Sequence, residues 1–319
     1  MLIGLIPVLV LGLALVVAGV WLWTWRMLRR PPRRTYAWAV SRGLPGDPGE
    51  MCPPRTFNAW SCRRGSADLS VWDVRGDDPS GPVVVISHGW GDSKVVALLR
   101  LPAAARHASR VVLWDMPGHG TSGGRSALGT AEPDDLLALL DQLAADRPII
   151  LMGWSLGAGV SIAAAAKAAA RPNSPSPRIA GVIAEAPYRT ARGVATNVLL
   201  ARNLPTRWNA PVVFVGLGIC LGVGPAWRGF DRALLAASLP CPLLVIHGDA
   251  DTVCDLDDGR RIAAAAPNAR LVMIEGAGHN DLWTDPAFRE RCEHETSAFI
   301  AAAATPTPAP PHPVPHPSA

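Results

Sequence analysis

The chain reads as an α/β protein: an open, mostly parallel sheet with helices on both faces, carried behind an N-terminal membrane helix. Three observations predict this. Short apolar runs such as Val83-Val84-Val85-Ile86-Ser87 and Ile149-Ile150-Leu151-Met152 have the pattern of strands buried on both faces. Helical stretches alternate with those runs, as parallel crossovers require. No charged side chain occurs from Leu2 to Trp25, long enough to span a hydrocarbon core of roughly 20 helical residues.

Taken in order, residues 1–25 form the expected anchor. Trp21, Trp23 and Trp25 mark its far end, where amphipathic indoles favour the headgroup layer. Positive charge follows the apolar run instead of preceding it, which favours an uncleaved anchor over a signal peptide. Residues 26–54, rich in Pro, Gly and Arg, read as a linker. The domain is expected over 55–304. Two short strands, Arg55–Cys62 and Leu69–Arg75, flank Arg63-Arg64-Gly65-Ser66. After the Val83 strand, a helix is predicted from Val95 to His107, then strand Val111–Trp114, helix Pro133–Ala145, strand Ile149–Met152 and helix Leu156–Ala170. Strands Ile179–Ala184 and Pro242–His247 follow, then helix Asp257–Ala266, strand Arg270–Ile274 and helix Pro286–Ala304. Between about 188 and 240 the strands stop. This cap insertion holds an uncharged, glycine-rich stretch, Asn209–Trp227, too short and too proline-flanked for a second span. Residues 305–319, with proline at nearly every second position, are expected to be disordered.

The formal charge is +4, yet Arg26, Arg29, Arg30, Arg33 and Arg34 supply five positive charges within nine residues. Without them, 25 basic residues face 26 acidic ones, so the basic balance belongs to the membrane flank and gives no nucleic-acid-binding face. The same arginines predict a cytoplasmic catalytic domain on a single-pass protein. Six scattered cysteines without a Cys-x-x-Cys pair argue against a zinc site and a dense disulfide framework. A Cys52–Cys62 bridge is conceivable only for an exported domain; buried free thiols are the expected state. No metal or other cofactor is expected.

The chemistry gathers around Gly153-Trp154-Ser155-Leu156-Gly157, set between a predicted strand and a predicted helix. A tight turn there lifts one hydroxyl above a sheet edge. Such a nucleophile needs a base, a carboxylate to orient the base, and donors for an oxyanion. Asp251, in His247-Gly248-Asp249-Ala250-Asp251, and His279, in Gly276-Ala277-Gly278-His279, both follow predicted strands at the edge where loops converge. With His88-Gly89-Trp90-Gly91 and Asp115-Met116-Pro117-Gly118-His119-Gly120-Thr121-Ser122, these motifs resemble the alpha/beta-hydrolase family over roughly residues 55–303. They are similar to its branch of monoacylglycerol-lipase-like and serine-aminopeptidase-like enzymes. The resemblance implies an alpha/beta-hydrolase fold with Ser155 as nucleophile, Asp251 as acid and His279 as base. It also implies that the backbone N–H groups of Trp90 and Leu156 form the oxyanion hole.

Each role has a rival. Asp249 competes with Asp251 for the acid, and Glu185 is a weaker third candidate. His88 suits shaping the oxyanion loop better than acting as base; Asp115 and His119 suit holding their turn, and His247 a structural place at a strand end. The leading reading is a membrane-anchored serine hydrolase cleaving an ester, thioester or amide of a small acyl substrate, with lipidic substrates within its range. An acyltransferase would use the same triad, and a silent binding protein on this fold would usually lack one of its members. The uncharged stretch 209–227 is expected to wall the acyl site and favour medium or long chains.

Overall fold

The computed structural model describes residues 2–143, 147–171 and 179–304; the tail expected to be disordered lies outside them. The chain begins with α1 (Leu2–Arg29), the one helix among the described residues long and apolar enough to cross a membrane, over Pro7–Arg29. It runs four residues past the expected anchor. The stretch read as linker is folded onto the domain: it carries α2 (Tyr36–Val40), whose Ala39 is fully buried, and a 3-10 turn at Pro48–Glu50 capped by Asp47.

β1 (Phe57–Arg64) and β2 (Ala67–Arg75) pair antiparallel around a two-residue turn. The turn is tighter than the sequence suggested because Gly65 takes φ +57°, which lets Arg64 pair directly with Ala67. Then come β3 (Val83–Ser87), α3 (Lys94–Ala97), α4 (Leu101–Ala105) and β4 (Arg110–Trp114). The single helix expected over Val95–His107 is broken in two. Pro102 has no N–H to donate to Leu98, so the helix stops and restarts with proline in its first turn.

The alternation continues through α5 (Glu132–Gln142), β5 (Ile149–Trp154), α6 (Leu156–Ala169) and β6 (Ile179–Glu185). The insertion supplies α7 (Ala191–Ala201), α8 (Asn209–Cys220) and α9 (Arg232–Ala236). β7 (Leu243–Gly248), α10 (Leu256–Ala265), β8 (Ala269–Ile274) and α11 (Pro286–Ala304) complete the chain. The eight strands lie in the order β1-β2-β4-β3-β5-β6-β7-β8. β2 runs antiparallel to both its neighbours, and all other pairs are parallel.

Two-residue periodicity divides the core. Val83, Val85, Ile149 and Leu151 face one side with α5 and α6; Val84, Ile86, Ile150 and Met152 face the other with α4 and α11. Covered on both sides, the central strands are fully buried, and their carboxyl ends present four loops at one edge. Those loops carry Trp90, Ser155, Asp251 and His279.

Candidate active site

Ser155 sits between β5 and α6 with φ 51° and ψ −115°, a conformation that costs a non-glycine residue about 1–3 kcal/mol. The surroundings hold it there. Its N–H donates to Glu185 O at 2.9 Å. A Cβ on Gly153 would lie 2.3 Å from Gly157 O, and one on Gly157 would lie 2.0 Å from Ser87 O. Only glycine at both flanks lets α6 close on the sheet this tightly.

The structure brings the three sequence-selected side chains into one hydrogen-bonded line. Asp251 Oδ2 accepts from His279 Nδ1 at 2.7 Å, which leaves His279 Nε2 to accept from Ser155 Oγ at 3.1 Å. Asp251 is itself fixed by its own loop, since its Oδ1 accepts from the N–H groups of Val253 and Cys254, both at 2.8 Å. Burial works against its charge, but hydrogen bonds from His247 and His279 outweigh that and hold the carboxyl well below the usual carboxylate range. Asp249 points elsewhere and accepts from Gly276 N at 2.7 Å. Glu185 is committed to a buried ion pair with Arg100 at 2.7 Å.

The segment carrying Trp90 is a tight turn beside Ser155, closed by Asp92 N donating to Gly89 O at 3.1 Å. Among the described residues, the backbone N–H groups of Trp90 and Leu156 donate to no protein acceptor; Leu156 opens α6, where a helix leaves its first donors free. His88 braces the turn from below. Its Nδ1 donates to Gly89 O at 2.8 Å and its Nε2 accepts from Met116 N at 2.9 Å. Burial pushes its pKa down to about 3, so it stays neutral and keeps this tautomer. Asp115 and His119 hold the neighbouring turn. Asp115 accepts from Lys94 N at 2.7 Å, Thr121 N at 2.9 Å and Lys94 Nζ at 2.6 Å. Sequence reasoning passed over Lys94, because a lysine at the start of a helix ordinarily reads as exposed and nothing local marks its buried pairing with Asp115. His247 Nε2 donates to Cys254 O at 3.0 Å and lies 3.4 Å from Asp251 Oδ2, so it braces the loop that carries Asp251.

Cys254 is the neighbour that motifs did not flag. Its Sγ lies 4.0 Å from Ser155 Oγ, and with Asp251 and His279 it forms a set of potential metal donors within 4.8 Å of one another. Burial, with the Asp251 carboxylate beside it, drives its thiol well above its ordinary pKa. All six cysteines are free; Cys52 is exposed and Cys62 buried.

Ser155 and His279 open into a cavity of about 210 Å³. Its apolar wall differs from the one expected. Residues 209–227 do not line it; α7 does, through Ala191, Val194, Ala195 and Val198, opposite Leu128 and Leu156. The uncharged stretch lies one layer out. Phe214 packs on Trp227, Trp227 on Phe230 and Phe230 on Tyr188, and only Tyr188 reaches the cavity. Leu28 of α1 also lines the cavity.

A model of the alpha/beta hydrolase family matches residues 83–290. No curated protein matches significantly. Among solved structures, the chain is similar to the Pyrococcus furiosus esterase Pf2001 at 20% identity and a TM-score of 0.64, covering 86% of this chain and 98% of that one. A hydrolase from Pseudomonas aeruginosa PA01 is 24% identical with a TM-score of 0.55, covering 76% and 98%. The esterase RhEst1 from Rhodococcus sp. ECU1013 is 20% identical with a TM-score of 0.55, covering 77% and 99%. At these identities the structures speak for a shared fold.

Proposed function

Because the chain belongs to the alpha/beta hydrolase family, we propose that it is a membrane-anchored serine esterase with Ser155 as nucleophile, His279 as base and Asp251 as acid. The observation that carries this reading is the unbroken line Asp251–His279–Ser155 at 2.7 and 3.1 Å, ending in an open cavity. Ser155 Oγ attacks the ester carbonyl while His279 Nε2 takes its proton. The ionised Asp251 stabilises the imidazolium so formed, and the N–H groups of Trp90 and Leu156 receive the oxyanion. His279 then returns the proton to the departing alcohol. Water, deprotonated by the same imidazole, releases the acid from Ser155.

The cavity favours an acyl ester over an aminoacyl amide, and so the lipase-like over the aminopeptidase-like side of the branch. Asp92 is the one carboxylate among its lining residues, and it is already matched by Trp154 Nε1 at 2.8 Å and by Arg34. An α-amino group would find no free anion there. A lipidic substrate fits the rest of the molecule. Val212, Val215 and Ile219 make an exposed apolar face on α8, which packs beside the membrane-exit end of α1. A helix apolar all round is buried or in contact with lipid. The arginines that flank the span support a cytoplasmic domain.

Hydrolysis of p-nitrophenyl esters from acetate to laurate, monoacylglycerols and aminoacyl amides tests the proposal. Each further buried methylene is worth up to about 0.8 kcal/mol, roughly fourfold, until the cavity is full. Activity should therefore rise from acetate to medium chains. Faster cleavage of aminoacyl amides than of any ester would refute it.

A further inference from the structure

The second half of α1 docks on the protein along one face. Val17, Val20, Trp21, Thr24, Trp25 and Leu28 are wholly or partly covered, at the three- and four-residue spacing of a helix stripe, while Leu22, Trp23 and Arg26 stay exposed. Thr24 Oγ1 accepts from Asn209 Nδ2 at 2.8 Å, and the Trp25 ring lies so close to α8 that a Cβ on Gly216 would come within 2.9 Å of it.

The helix end is tied just as specifically. A helix leaves its last carbonyls without partners in its own ladder. Here the hydrolase domain supplies the donors: Trp90 Nε1 donates to Leu28 O at 3.0 Å and Ser126 N to Arg29 O at 3.1 Å. Just beyond, Arg33 donates to the carbonyls of Gly120 and Ser122 at 3.1 and 2.8 Å, and Arg34 pairs with Asp92. Two of the loops so gripped belong to the site. Trp90 and Asp92 form the oxyanion turn, and Ser126 lies two residues before Leu128 of the cavity wall. Leu28 itself is 2% exposed and lines the cavity.

We propose that the last turn of α1 is part of the substrate site. Leu28 sets how much acyl chain the cavity holds, and its carbonyl positions the oxyanion turn through the Trp90 indole. The inference rests on the esterase reading above and adds a specificity-determining residue that lies outside the hydrolase motifs. The span is then more than a tether, because the cavity is complete only while α1 is docked.

Full-length protein in lipid vesicles, carrying Leu28→Trp or Leu28→Ala, tests this on p-nitrophenyl acetate, octanoate and laurate. Leu28→Trp fills the cavity and should lower kcat/KM on laurate about tenfold, through KM, with acetate within about twofold. Leu28→Ala enlarges it and should raise the laurate-to-octanoate ratio about fourfold. A third variant, with residues 2–16 replaced by an unrelated apolar span, should keep the wild-type profile because the docked face from Val17 to Arg29 remains. Fluorophosphonate labelling of Ser155 at the wild-type rate shows that each variant is folded with an intact triad. Loss of labelling in wild type would count against the esterase reading alone. Chain-length profiles of labelled Leu28→Ala and Leu28→Trp that superimpose on wild type would overturn the role of Leu28.

Discussion

The two walls of the cavity are built by opposite means. On the triad side, each group is fixed by its own short loop: Asp251 by Val253 and Cys254 two and three residues on, and Ser155 by an elbow that two glycines close. On the facing side, the wall comes from segments far apart in the chain. Leu28 and Val198, 170 residues apart, both present apolar side chains to the cavity. The difference separates two demands. Bond-making needs atoms held to a few tenths of an ångström, which short hydrogen-bonded loops provide. Acyl selection needs only volume and apolar surface, which docked helices provide.

Breaking the triad side should have the largest effect. Asp251→Asn keeps an acceptor for the loop amides but removes the anion behind His279, and should lower kcat by about 10⁴. Asp249→Asn, whose carboxylate accepts from Gly276 N and points away from His279, should stay within about threefold of wild type. Steady-state rates on p-nitrophenyl acetate decide it, and a reversed order would move the acid to Asp249.

Next in size is a change to stability with little change to chemistry. Lys94 and Asp115 form an ion pair that is almost completely buried, beneath the Gly118–Ser122 turn. Lys94→Met leaves a buried carboxylate without its cation, which costs about 3–5 kcal/mol, and should lower Tm by roughly 10 °C. Turnover per folded molecule on acetate should be retained. An unchanged Tm in a thermal melt would show that the buried Asp115 carboxylate does not depend on Lys94 for its compensation.

The smallest effect concerns pH. Burial holds His88 and His119 neutral, with pKa values down at about 3, against 6.5 when unfolded. Between those values the unfolded chain binds protons that the folded one refuses. Stability is therefore complete above about pH 6.5 and falls as pH drops towards 3. Each histidine contributes a slope of up to about 1.4 kcal/mol per pH unit. In His119→Phe, one such contribution is gone, so the fall in Tm from pH 7 to pH 5 should be smaller than in wild type. An equal or greater fall would contradict the assignment. Glu132 and Glu185, raised by burial, act in the opposite direction but alike in both proteins.

How much could be read from the residues follows the same divide. The parallel sheet was legible because Val83–Ser87 and Ile149–Met152 are continuous apolar runs, which burial on both faces demands. Ser155, Asp251 and His279 stood out because each lies in a glycine-bearing loop right after a strand. The cavity wall was not legible. Ala191, Val194, Ala195 and Val198 look like any amphipathic helix, whereas the uncharged stretch around Phe214 drew attention yet lies behind it. Leu28 was hidden among Arg26, Arg29 and Arg30, just past the uncharged run and inside the stretch read as linker. Nothing local distinguishes a lone leucine in a basic flank from one that faces a cavity, because only the docking of the helix end brings it there. Arg33 and Arg34 were likewise absorbed into a flank of positive charge, although both hold loops of the domain.

The central claim is that His279 and Asp251 activate the Ser155 hydroxyl. Full-length protein treated with a fluorophosphonate probe, digested and mapped by mass spectrometry, tests it most directly. One equivalent of probe should appear on the peptide containing Ser155, with none on Ser155→Ala and labelling slowed at least about a hundredfold in His279→Ala. Equal labelling of wild type and Ser155→Ala, or undiminished labelling of Ser155 in His279→Ala, would contradict the account.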